Sequence, residues 1–100
     1  MGWATHHIKS LQENKTVSFR PRGNSMSGKI ESGQLCTVAP VDTKTLKVGD
    51  IVLCKVNGNQ YLHLIEGIQG PRFRIGNNKG HTNGWTRGHL IFGKLTKVEK

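Results

Sequence analysis

Apolar and polar positions alternate along most of this chain in short runs, the period of half-buried strands rather than of long helices. Thr16 to Arg20 alternates in this way and is broken by Pro21, which lacks a backbone donor. Gln34 to Ala39 places Cys36 and Val38 on one face before Pro40 and Asp42 open a loop. Lys47-Val48-Gly49-Asp50 is a turn that feeds an apolar run from Ile51 to Val56. Asn57-Gly58 separates that run from Gln60 to Glu66, and both turn residues tolerate the positive φ of a type I′ hairpin, so the two runs are predicted to be antiparallel neighbours. A second hairpin turns at Gln69-Gly70-Pro71 and returns through Arg72 to Ile75. Gly76 to Gly88, rich in Gly, Asn, His and Thr, is expected to be a long polar loop, and His89 to Val98 a closing strand. Helical spacing is confined to the first 14 residues, at Ile8 and Leu11, where a short helix or a loose lead-in is expected.

The expected fold class is therefore mainly β, a single-domain antiparallel fold with residues 1–19 as an N-terminal arm and first strand and residues 20–100 as the β domain. Composition agrees: 34% apolar residues and 13 glycines are lean in core material and rich in turns. Cys36 and Cys54 each sit in an apolar run without metal-ligand spacing, and are read as reduced core residues in preference to a disulfide. That reading points to a cytoplasmic setting. No apolar run is long enough to span a bilayer, and no signal-peptide pattern is present, so no membrane anchor is expected. No cofactor or metal is expected either, and His6, His7, His81 and His89 are read as surface residues.

Fifteen Lys and Arg against six Asp and Glu give a formal charge of +9, which favours polyanionic partners. The basic residues are dispersed from Lys9 to Lys100, and no nucleic-acid-binding motif accompanies them.

Candidate chemistry lies in Gly23-Asn24-Ser25-Met26-Ser27-Gly28 and in Tyr61-Leu62-His63-Leu64-Ile65. A serine hydroxyl is a poor nucleophile until a base takes its proton, and a strand holds such a base rigidly. Ser25 and His63 thus form a candidate dyad, with Lys29 and Lys55 as weaker alternatives for the base. An oxyanion site is expected from backbone N–H groups of the turn around Asn24, Met26 and Ser27. The G-x-S-x-G and S-x-x-K patterns are both absent around Ser25.

The order Gly23-Asn24-Ser25-Met26, Ile30-x-x-Gly33-Gln34, Val48-Gly49-Asp50-Ile51-Val52 and Tyr61-Leu62-His63-Leu64-Ile65 resembles the successive boxes of the LexA/signal-peptidase superfamily of serine peptidases, over roughly residues 20–98. The resemblance implies a coiled, mostly antiparallel β fold of bacterial or phage origin, with Ser25 as nucleophile and His63 in the position of the general base, where other members carry Lys. It makes Gly76-Asn77-Asn78 similar to the box that supplies an orienting Asp in His-type members. Here no carboxylate occurs between Gly67 and Val98, which leaves Asn77, Asn78 and Asn83 as neutral candidate orienters. Gly28 stands where a proline is common, which implies a looser turn.

Two functional expectations follow. The first is a peptidase-like domain acting on an extended peptide or protein substrate. The second keeps the fold without the chemistry, as a basic module contacting nucleic acid or the transcription machinery.

Overall fold

The computed structural model describes residues 2–100, which form a mainly β domain with one short helix and one seven-stranded antiparallel sheet. The helix α1 (Thr5–Gln12) is followed by β1 (Val17–Phe19), β2 (Leu35–Ala39), β3 (Ile51–Val56), β4 (Asn59–Gln69), β5 (Arg72–Gly76), β6 (Thr82–Arg87) and β7 (Ile91–Glu99). Their order in the sheet is β1-β2-β7-β3-β4-β5-β6, so the C-terminal strand inserts between β2 and β3.

Local chemistry explains most of these elements. α1 buries Ile8 and Leu11, one turn of an amphipathic stripe, together with Ala4 ahead of it. It stops at Asn14, whose φ of 64° is left-handed, while the N–H groups of Asn14 and Lys15 cap the carbonyls of Leu11 and Ser10. The β3–β4 hairpin turns at Asn57 and Gly58, with φ of 50° and 81°, as the type I′ turn requires.

The central strands carry apolar residues on both faces and so build two cores. On one face Leu53 and Leu62 pack with α1, Cys36, Val38, Met26 and Ile30. On the other, Val52, Cys54 and Val56 pack with Ile65, Phe73, Ile75 and Ile91. Both cysteines are free and buried, and burial pushes the Cys54 thiol up to about 12, so it acts as a small hydrophobe.

The second half of the expected loop at Gly76–Gly88 is in fact β6, paired in register with β5 from Arg72↔Arg87 to Ile75↔Gly84. Only Thr86 of this strand is buried, so an edge strand with a polar face carries too little apolar alternation to announce itself. The sheet then curls: Thr86 Oγ1 donates to the Lys55 carbonyl at 2.7 Å, which draws β6 back over β3. The closing strand begins at Ile91 rather than His89, because Gly88–Leu90 forms a 3-10 turn. No helix among the described residues is long and apolar enough to cross a membrane.

Gly93 on β7 lets the helix approach the sheet, since a Cβ there would lie 2.7 Å from the Ala39 carbonyl oxygen and 3.0 Å from Leu11 Cδ2. Gly93→Ala is expected to destabilise the domain by about 1–3 kcal/mol through overpacking. A lower urea midpoint with an unchanged m-value is the expected result, and an unchanged midpoint would show that the helix is not held there.

Candidate active site

Ser25 lies in a turn between β1 and β2 that is fixed from three sides. Met26 and Ile30 are buried and pin it to the core under α1. At its base, Gly33 N–H donates to the Pro21 carbonyl at 2.9 Å and Arg20 Nη1 to the Gly33 carbonyl at 2.8 Å. From the far side, Asn78 donates its backbone N–H to the Ser25 carbonyl at 2.9 Å and its side-chain Nδ2 to the Ser27 carbonyl at 2.7 Å.

Gly28 completes this turn rather than loosening it. Its φ of 95° is closed to proline and costly for other residues, and its N–H, which proline lacks, donates to Glu31 Oε2 at 2.7 Å.

His63 projects from the middle of β4, opposite Val52 of β3, and is buried. Ser25 Oγ lies 3.1 Å from His63 Nε2, inside the range for direct proton transfer. On the other side of the ring, Nδ1 lies 2.7 Å from Asn83 Oδ1. An amide oxygen only accepts, so Nδ1 carries the ring proton and Nε2 is left free to accept from the serine hydroxyl. The Tyr61 ring stacks against the imidazole with centroids 4.9 Å apart, which steadies its plane.

Asn83 reaches the ring through a β-bulge. The register passes from Ile75↔Gly84 to Gly76↔Thr82, so Asn83 is the extra residue on β6, and such an insertion re-aims a side chain. The two other asparagines considered as orienters serve elsewhere. Asn78 clamps the serine turn as described, and Asn77 Oδ1 accepts from the N–H groups of Lys79 and His81 at 2.8 and 3.0 Å. The lysines considered as bases have no part in the Ser25 contact, which goes to His63.

The turn also shows which backbone donors are free. Ser27 N–H donates to the Asn24 carbonyl at 3.2 Å, and those of Lys29 and Ile30 to the Met26 carbonyl, so Ser27 drops out as an oxyanion donor. Among the described residues, the N–H groups of Asn24, Ser25 and Met26 have no partner within the chain. Consecutive unpartnered N–H groups beside the Ser25 hydroxyl are candidate donors to an anion.

A cleft of about 660 Å³ opens beside the pair and was not legible in the sequence. Its apolar walls come from Trp3, Phe19, Met26, Ile30 and Leu62, with Ser25 and His63 on the lining. His7, expected at the surface, instead stacks on Phe19 at 4.4 Å and joins the wall. Trp3 packs against Phe19 at 5.5 Å and donates its indole N–H to the Gln60 carbonyl at 3.2 Å. The N-terminal arm is thus a wall of the site. Trp85 does not line this cleft. Among the described residues no cluster of His, Cys, Asp and Glu has the makings of a metal site.

No protein-family profile matches the chain, and no curated protein matches it in sequence.

Burial holds the His63 pKa below its ordinary 6.5, the nearby His81 lowers it further, and the Asn83 hydrogen bond partly opposes them. The neutral ring is the form that accepts a proton, so its capacity to do so is lost only as pH falls through this depressed pKa. In an NMR titration the His63 ring is expected to protonate at a midpoint below 6.5, and Asn83→Asp, which sets a negative charge against Nδ1–H, is expected to move that midpoint up. Identical midpoints in the two proteins would mean that residue 83 does not govern the ring.

Proposed function

We propose that this chain is a serine hydrolase domain of the LexA/signal-peptidase kind that cleaves extended peptides, with Ser25 as nucleophile, His63 as general base and Asn83 as the residue orienting the base. The observation that carries the reading is the continuous relay Ser25 Oγ, His63 Nε2, His63 Nδ1, Asn83 Oδ1, with links of 3.1 and 2.7 Å. The order of the sequence boxes supports the superfamily, and the antiparallel sheet is compatible with it.

In this mechanism Ser25 Oγ attacks the scissile carbonyl carbon while its proton passes to His63 Nε2. The N–H groups of the Asn24–Met26 turn receive the oxyanion. His63 then gives its proton to the departing amine as the C–N bond breaks, leaving an acyl-Ser25 ester. Water attacks the ester, its proton returns to Nε2, and breakdown of the second tetrahedral intermediate restores the serine.

Asn83 fixes the tautomer but brings no negative charge to balance the imidazolium, the arrangement of Cys-His-Asn hydrolases. Slow turnover is the corollary. The terminal strand β1 offers an unpaired edge beside the cleft, where an extended peptide satisfies its backbone hydrogen bonds by strand addition. The aromatic wall suits a bulky apolar side chain near the scissile bond.

Ser25→Ala and His63→Ala are each expected to lower hydrolysis of peptides with large apolar residues by about a thousandfold or more, and Ser25→Ala to abolish labelling by a serine-directed phosphonate. Trp3→Ala is expected to raise KM by about tenfold with kcat little changed, since it removes apolar binding surface away from the reacting atoms. Hydrolysis and labelling that survive both dyad substitutions would refute the assignment.

A further inference from the structure

The outer face of the β5–β6 pair carries a cluster that the proposed hydrolase chemistry does not use. The register sets Arg72 opposite Arg87 and Arg74 opposite Trp85, and directly opposed residues share a face. Phe73, Ile75 and Thr86 point the other way and are buried. Trp85 is 38% exposed, large for so apolar a ring, with the Arg72 guanidinium 5.0 Å and that of Arg74 5.8 Å from its centroid.

The charges on this face are mostly uncompensated. Arg74 pairs with Glu66 at 3.5 Å, while Arg72 meets only the neutral Gln69 amide at 3.4 Å. Among the described residues Arg87 has neither an ion pair nor a side-chain hydrogen bond. No Asp or Glu occurs from Gly67 to Val98, so the strands and turns around the face supply no further acid. The indole attracts each guanidinium while the guanidiniums repel one another, and phosphates drawn to the arginines would relieve that repulsion and leave the ring to a base.

We infer that this face binds single-stranded nucleic acid, an unstacked base lying against Trp85 while Arg72 and Arg87 pair with the flanking phosphates. Stacking needs an open base face, which a duplex does not offer, and arginine suits both the phosphate and the aromatic plane. The site lies on the side of the sheet away from His63, whose opposite residue Val52 belongs to the inner core, so the inference stands apart from the hydrolase reading.

The test is fluorescence anisotropy of a labelled oligothymidylate with the full chain over a range of salt, with the matching duplex and an oligoglutamate of equal charge as competitors. Binding is expected to weaken with salt, to be lost about tenfold or more in Trp85→Leu, and to persist in Trp85→Phe. Arg87→Gln is expected to weaken binding and reduce the slope of log affinity against log salt by about 0.7, one single-strand phosphate contact. A second readout leaves the face intact: in a Trp3→Phe background the remaining indole emission is expected to be quenched as oligothymidylate is added. Absence of binding at low salt, full affinity in Trp85→Leu, unquenched emission, or equal competition by the duplex or by oligoglutamate would each overturn the inference.

Discussion

The hydrogen bond from His63 Nδ1 to the Asn83 side chain sets the chemistry of the ring, because an amide oxygen cannot donate and therefore leaves the Nε2 lone pair facing Ser25. This bond depends on backbone geometry two strands away. One extra residue in β6 turns Asn83 inward while its neighbours keep their pairing with β5, and the Thr86 contact with the Lys55 carbonyl draws that strand across the sheet. Gly84, with φ of 136°, takes the strain of the bulge, and a Cβ there would approach Val56 Cγ1 at 3.2 Å. A side chain at that position would meet both this crowding and the positive φ.

The serine half of the pair depends on a second clamp, of different character. Asn78 grips the turn by two carbonyls, so the segment after β5 holds Ser25 while the segment a few residues later holds His63. The excursion after β5 and the bulge that opens β6 therefore hold both partners, and their separation of 3.1 Å depends on that stretch as well as on the strand and turn that carry them. Asn77 tightens it from within by capping Lys79 and His81. The three asparagines divide the contacts: Asn77 folds the excursion, Asn78 holds the Ser25 turn and Asn83 meets the imidazole.

Much of this architecture was legible in residue order. Asn57-Gly58 announced a hairpin because few pairs tolerate two positive φ values, Cys36 and Val38 announced a strand by sharing one face, and Ile51 to Val56 announced another as a short apolar run between turns. The pairing of Ser25 with His63 was legible in a serine set in a polar turn and a histidine set in a strand-like run, and in the order of the boxes around them, not in periodicity. β6 was missed because Thr82, Asn83 and Gly84 have the composition of a loop, and strand pairing there comes from β5 rather than from burial. The cleft escaped notice for a related reason: Trp3, His7 and Phe19 are spread over an arm whose docking is a tertiary event, and no local pattern says that they converge. Which asparagine would meet the imidazole was equally hidden, since a bulge is a register property and leaves no mark on a single strand.

The placement of the six acidic residues bears on how such a site would work. Asp42 caps a 3-10 turn, Asp50 meets Lys47 N–H and Lys94, Glu31 receives Gly28 N–H, Glu66 receives Thr82 and Arg74, and Glu13 and Glu99 pair with exposed lysines. Each is engaged locally and none touches His63, so a chain of net charge +9 surrounds a neutral imidazole. A positive field disfavours the imidazolium and favours an oxyanion. In a Ser-His-Asp triad the carboxylate stabilises the cation formed on the base, whereas under the proposed reading stabilisation would fall on the anion, at the free N–H groups of the Asn24–Met26 turn. The rigidity of that turn, with Gly28 in a conformation few residues adopt and Asn78 holding two of its carbonyls, is what such a division of labour demands, since fixed dipoles stabilise a developing charge only if they need not reorganise to meet it.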